Sequence, residues 1–337
     1  MASLTIQERD ERSIRMRLLQ FAIKPFRPLL VSPRKPPPNA ERLTVPKKIE
    51  RRYRVTERRV DGTWVYDVTQ KPQHPARDPS PKHRHRRILY FAGGSWQMPP
   101  SKAHWAFCAE LVRRMEGTTV TVVSCPLAPE HPVSVAFPHI ERVYKQLMTE
   151  SARAGEKAVV AGDSSGGNLA LGLVAWTLKT QGDEDHINAP VAVLAICPTT
   201  DLRHDHPGIQ QAEELDPLHT LDAVRSTAKT WCPEPRKLGS GEKGTADWTF
   251  SDPRVSPIQA DLGLFGQHNV SVHGVIGSRD VLAPEAVAFR DKCEKHGLSG
   301  EWLCWNGQMH CFPLTFRYGL KEGREGMDWI VGVLRNH

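Results

Sequence analysis

Long apolar runs are missing from this 337-residue chain: no window holds 18 uninterrupted apolar residues, which argues against a transmembrane helix. The opening MASLTIQERDERSIRMRLLQ carries charges where a secretory signal needs its apolar stretch, so an intracellular, cytoplasmic protein is expected. The seven cysteines, at 108, 125, 197, 232, 293, 304 and 311, form no CxxC pair and leave one over. They read as reduced thiols with no zinc cage in prospect, and neither a metal nor another cofactor is expected. Glycine (25 residues) follows no repeat, which excludes a collagenous chain, and 39% hydrophobic residues is too many for a disordered one. The length suffices for one large core and a smaller accessory lobe.

Acidic residues are scarce in one region only. Residues 1 to 87 hold 22 Lys and Arg against 9 Asp and Glu, whereas the remaining 250 hold 23 against 29. The overall charge of +7 therefore belongs to the N-terminal quarter, and a mildly acidic body argues against a nucleic-acid groove.

Residues 1 to 48 read as a cap or lid segment. Within it Ile14 to Ile23 is amphipathic, with Ile14, Leu18, Phe21 and Ala22 at helical spacing among Arg12, Arg15 and Arg17. The proline-rich run at 31 to 40 ends this helix as a surface linker. ERRYRVTERRV and GTWVYDVTQ predict an antiparallel hairpin turning at Asp61-Gly62, and a polar segment, 71 to 87, follows. From residue 88, ILYFAG, TVTVVSCP, AVVAGD, VAVLAICP, VSVHGVIG and EWLCWNG alternate with helical segments. Several are apolar at consecutive positions, as strands buried on both faces must be, so the expected α/β fold has a mostly parallel sheet covered by helices. The catalytic domain spans 49 to 337 and carries a cap insertion at about 203 to 252, helical over EELDPLHTLDAVRSTAKTW and loop-like over EPRKLGSGEKGTAD.

The strongest chemical signal is Gly162-Asp163-Ser164-Ser165-Gly166-Gly167, set between an apolar strand and a helical pattern. A G-x-S-x-G turn in that context raises a serine hydroxyl above the sheet and directs a helix N-terminus at the same spot. A serine nucleophile needs a base, and the base needs an orienting carboxylate, in the chain order Ser, acid, His. Asp280 follows the strand VSVHGVIG and His310 follows EWLCWNG, so both fit. His296 precedes a glycine at a helix end and reads as a cap. His204 and His206 lack a third ligand at suitable spacing, and Glu285 and Asp291 read as a solvated helix face. Ser165 offers one oxyanion amide, and Tyr90-Phe91-Ala92-Gly93-Gly94-Ser95-Trp96 offers the amides of Gly93 and Gly94.

These residues resemble the hormone-sensitive-lipase-like branch of the α/β-hydrolase fold: GDSSGG against its GDSAGG, AGGS at 92 to 95 against its HGGG, and PLAPEHP at 126 to 132 against its YRLAPEHP. ICPTTDL and DPRVSP look like later landmarks. The resemblance implies carboxylester hydrolysis through an acyl-enzyme, under a helical cap. Ala92 replaces the histidine that helps hold the family's loop, and Ser95 replaces its last glycine. The combination YFAGGSW looks more like a fungal subgroup of steryl acetyl hydrolase-like and natural-product deacetylases. The expected substrate is thus a short-acyl ester, an acetyl ester first, of a bulky apolar alcohol such as a sterol or a secondary metabolite, with Trp96 narrowing the pocket. Two other readings use the same fold: a lyase, dehydratase or cyclase acting on a natural product, and a non-catalytic ligand-binding protein. The basic amphipathic stretch suits peripheral contact with an anionic membrane.

Overall fold

Two adjacent residues on a strand face opposite sides, so a strand apolar at every position must be covered twice. That pattern organises the computed structural model, which describes residues 3–30, 40–71, 86–180, 188–233 and 248–337. The parallel strands are β1 (Leu4–Arg9), β4 (Arg86–Phe91), β5 (Thr118–Val123), β6 (Lys157–Asp163), β7 (Ala192–Ile196), β8 (Ser271–Arg279) and β9 (Gly300–Met309). An antiparallel hairpin of β2 (Tyr53–Val60) and β3 (Thr63–Gln70) joins them. The order is β1-β9-β8-β7-β6-β4-β5-β3-β2. Leu89, Phe91, Val160 and Val193 face one core layer, whereas Ile88, Tyr90, Val159 and Leu194 face the other.

Helices α5 (Val133–Arg153), α6 (Ser165–Thr180), α9 (Gly263–Gln267) and α10 (Ala283–Lys295) contribute Phe137, Leu169, Phe265 and Phe289 to the first layer. Helices α4 (Lys102–Arg114) and α11 (Lys321–Arg335) contribute Trp105, Leu111, Ile330 and Leu334 to the second. The short α3 (Lys47–Arg52) leads into the hairpin, whose turn has Asp61 and Gly62 at φ 45° and 79°, as an Asp-Gly hairpin requires. No helix among the described residues is long and apolar enough to cross a membrane.

Three features depart from the sequence reading. Leu4–Arg9, read only as part of a cap segment, is a sheet strand that pairs in parallel with β9 from Leu4↔Gly300 to Arg9↔Trp305. Behind it come α1 (Ile14–Ile23), N-capped by Ser13, and α2 (Arg27–Leu30). The stretch from Glu213 to Trp231 is two helices, α7 (Ile209–Leu215) and α8 (Leu221–Trp231). Pro217 holds Asp216 extended (ψ 123°), Asp216 Oδ1 accepts the amides of Leu218 and His219, and Thr220 Oγ1 caps α8. Glu285 is buried, its carboxylate 3.0 Å from His204 Nδ1, so it is no part of a solvated face. Of the linkers predicted at 31–40 and 71–87, positions 31–39 and 72–85 lie outside the described residues, as does the loop at 234–247, while Arg86 and Arg87 belong to β4.

Candidate active site

Where β6 meets α6 the chain turns through Ser164, whose φ of 54° is left-handed. The two glycines of the motif make this possible by close approach. A Cβ on Gly162 would sit 2.3 Å from the Gly166 backbone, and one on Gly166 would sit 2.0 Å from the Phe91 carbonyl. The Ser164 amide donates to the Ile196 carbonyl (2.9 Å), which ties the turn to β7.

The loops after β8 and β9 bring Asp280 and His310 together. His310 Nδ1 lies 2.6 Å from Asp280 Oδ2, and both residues are buried. Asp280 Oδ1 accepts the Leu282 amide at 3.0 Å, which fixes the carboxylate. Burial alone would lower the imidazole's affinity for a proton, but the Asp280 carboxylate outweighs it and pushes His310 above its ordinary 6.5. Neither His310 Nε2 nor Ser164 Oγ hydrogen-bonds another group among the described residues.

A second Asp–His pair uses Asp163, the residue before Ser164. Asp163 accepts from Tyr90 Oη (2.5 Å), from the Gly93 amide (3.0 Å) and, through Oδ2, from His104 Nε2 (3.1 Å). His104 Nδ1 accepts the Ser101 amide at 2.8 Å, so in the neutral ring the proton is on Nε2. Burial would raise the Asp163 carboxyl, yet His104, Tyr90 and Gly93 together hold it down to about 2. This cluster ties the Gly93 loop to the nucleophile strand, a task the family's loop histidine cannot perform here because position 92 is alanine. Asp163, His104 and Tyr90 were missed in the sequence. Only the aspartate inside GDSSGG hinted at them.

The same cluster corrects one assignment. The Gly93 amide is engaged by Asp163 and is not free to meet an oxyanion. The amides of Gly94, Ser95 and Ser165 have no acceptor among the described residues. Trp96 is 6% exposed, stacked on Trp231 with centroids 5.4 Å apart, and its amide donates to Ser165 Oγ (3.3 Å). Trp96 and Trp231, with Leu169 and Ser165, bound a cavity of about 20 Å3. A cavity of about 530 Å3, lined by Gln211, Leu215, Pro284 and Trp305, touches no member of the Ser164, Asp280 and His310 set.

The cap insertion reaches the site through the break after α7. His219 meets the His310 ring edge-on, centroids 4.5 Å apart, and Asp216 Oδ2 accepts the Val281 amide at 2.8 Å. Burial and the neighbouring His310 lower His219 to about 3, so it is neutral. Burial and the Asp280 charge raise Asp216 to about 6. Among the described residues, the ligand atoms of Cys197, His310 and Cys311, and of His219, Asp280 and His310, lie within 4.8 Å of one another. Both groups use His310, whose Nδ1 is already engaged by Asp280. His206 accepts the Gly208 amide and His296 ends α10, so neither enters the site.

The site thus holds a serine on a strand-to-helix turn, a histidine oriented by a buried carboxylate and amides without an acceptor, the group types that acyl transfer needs. Residues 88–314 match the family described as alpha/beta hydrolase fold. An esterase of Acinetobacter venetianus is 27% identical over 244 residues, covering 72% of this chain and 73% of that one. A Mycobacterium tuberculosis protein provisionally named acetyl-hydrolase LipR is 28% identical over 253 residues, with coverages of 74% and 73%. The solved structure of an esterase from the bacterial hormone-sensitive lipase family shares the fold with a TM-score of 0.71 at 18% identity, over 97% of this chain and 99% of that one. With the Ser164 turn, the sheet order and the matched span in agreement, the chain belongs to the α/β-hydrolase fold family.

Proposed function

We propose that this carboxylic ester hydrolase removes a short acyl group, acetyl first among them, from a bulky apolar alcohol through an acyl-enzyme on Ser164. The observation that carries the reading is a histidine whose Nδ1 is held 2.6 Å from a buried carboxylate, next to Cys311, whose Sγ lies 3.7 Å from Asp163 and 3.9 Å from the Ile196 carbonyl that accepts the Ser164 amide. His310 Nε2 takes the hydroxyl proton as Ser164 Oγ attacks the ester carbonyl, and Asp280 stabilises the imidazolium. The amides of Gly94, Ser95 and Ser165 receive the oxyanion, while Asp163, through Gly93, keeps their loop against the nucleophile strand. His310 then protonates the leaving alcohol. A water, deprotonated by the same nitrogen, attacks the acyl-enzyme and releases the acid.

The short-acyl preference is supported by the stacked Trp96 and Trp231, which leave about 20 Å3 beside Ser165, and by the name of the mycobacterial relative. The sterol or natural-product alcohol, and the fungal deacetylase subgroup with it, rest on the YFAGGSW motif. Ser164→Ala is expected to lower hydrolysis of p-nitrophenyl acetate by about 10^4-fold or more, and to abolish stoichiometric labelling by a fluorophosphonate. Labelling without turnover of any ester would favour a ligand-binding protein. A p-nitrophenyl series with its maximum at octanoate or longer would contradict the short-acyl reading.

A further inference from the structure

The first two helices hide one apolar stripe and display another. Met16 and Gln20 are buried, and Gln20 Nε2 donates to the Gly307 carbonyl at 2.9 Å, so the inward face of α1 is docked on β9. On the outward face Ile14, Leu18 and Phe21 stand at i, i+4 and i+7 and are 74%, 62% and 81% exposed. Phe26 and Leu29 continue the patch, and Leu215, at the end of α7, is also exposed. These are most of the large apolar side chains that the described residues expose, drawn largely from one short segment, and scattered single residues would be the ordinary pattern.

The charge carried by this segment has one sign. From Arg12 to Ala40 the chain has seven Lys and Arg and no Asp or Glu, although the body from residue 88 on is net acidic. Arg15 and Arg17 are exposed beside the apolar stripe. Lys24 and Arg27 are used differently. Lys24 Nζ donates to the Glu214 carbonyl (2.6 Å), and Arg27 donates to the carbonyls of Glu213 (3.2 Å) and His219 (2.6 Å). They fasten the segment to the end of α7 and to the residue that meets His310.

We propose that the face made by Ile14, Leu18, Phe21, Phe26 and Leu29 docks on an anionic lipid bilayer. An apolar stripe with flanking guanidiniums inserts into the acyl boundary while the cations remain at the headgroups. An anionic surface fits better than a neutral one, because the segment has no acid to be repelled. The docked face lies on the cap, so an apolar ester dissolved in the bilayer would be delivered beside the site and not through bulk water. The inference goes beyond the proposed hydrolysis, and binding is read without turnover.

The experiment is co-sedimentation of the full chain with vesicles of phosphatidylcholine alone and of phosphatidylcholine mixed with phosphatidylserine, at low and high salt. The wild type is expected to pellet with the mixed vesicles, less so in high salt, and little with phosphatidylcholine alone. Leu18→Ser with Phe21→Ser is expected to weaken the partition by about tenfold or more, and Arg15→Gln with Arg17→Gln to remove the preference for phosphatidylserine. All these side chains are exposed, so the variants should fold, and unchanged hydrolysis of p-nitrophenyl acetate checks that they do. Equal pelleting of wild type and the Leu18, Phe21 variant overturns the proposal. So does a wild type that ignores both vesicles but sediments as a dimer that the same variant dissociates, since the face would then join two copies.

Discussion

The two Asp–His pairs, Asp280 with His310 and Asp163 with His104, differ at one nitrogen. In the His310 pair the ring's far nitrogen engages no group among the described residues, while in the His104 pair the far nitrogen accepts the Ser101 amide. A histidine with one nitrogen on a carboxylate and the other at liberty can shuttle a proton; with both nitrogens engaged it can only brace. The residue types are the same. The contrast is made by what surrounds the second nitrogen: His104 sits in the first turn of α4, where it caps the helix with Ser101, whereas the loop after β9 opens at His310.

That contrast is sharpest in paired substitutions. His310→Ala should lower kcat for p-nitrophenyl acetate by about 10^4-fold or more. Asp280→Asn should follow, with about 10^3-fold to 10^4-fold loss. It should also move the pH profile. In the wild type kcat/KM rises with pH as His310 loses its proton, and the Asp280 carboxylate places that rise above the ordinary imidazole value of 6.5. Removing the carboxylate's charge should slide the midpoint down toward 6.5, measurable in the residual activity. A midpoint that moves upward would break the assignment of Asp280 as the group that raises His310.

The bracing pair should respond in the opposite proportion. His104→Ala leaves a buried carboxylate short of a donor, so it should cost about 1 to 3 kcal/mol of stability by thermal or urea unfolding. Its kcat should fall by no more than about 10^2-fold, through a displaced oxyanion loop. The smallest effect is a pH dependence of stability. Folded Asp163 titrates at about 2 against 3.8 in an unconstrained chain, so its contribution is complete above 3.8 and is lost as the pH falls toward 2. The gap in melting temperature between wild type and Asp163→Asn should therefore narrow over that interval. A constant gap would remove Asp163 from the charged role given to it.

What could be read from the chain beforehand divides along the same line. AVLAI announces a doubly covered strand because every position is apolar, and the Ser, Asp, His order needs only strand ends to fix it. β1 escaped notice because LTIQER, at the sheet edge, buries no residue fully and so alternates weakly. His104 is invisible from its neighbours: its partner is 59 positions away and its meaning arises only when α4 packs beside β6. Gly93 misled for a related reason, since a glycine in a loop gives no sign of where its N–H points. The Asp216-Pro217 break was legible in principle, because proline forces its predecessor out of a helix, but the apolar periodicity of the surrounding residues masked it.

The pairing of β1 with β9 has a consequence for a shortened chain. Among the described strands β1 precedes all the others, yet its neighbour is β9, which follows all the others. β9 also leads directly into His310. Pairing of β1, anchoring of α1 over Gly307 and placement of His310 thus all depend on β9, through contacts between segments far apart in sequence. A variant cut before β9 would carry the Ser164 turn with neither His310 nor a seat for α1, and it is expected to show no esterase activity.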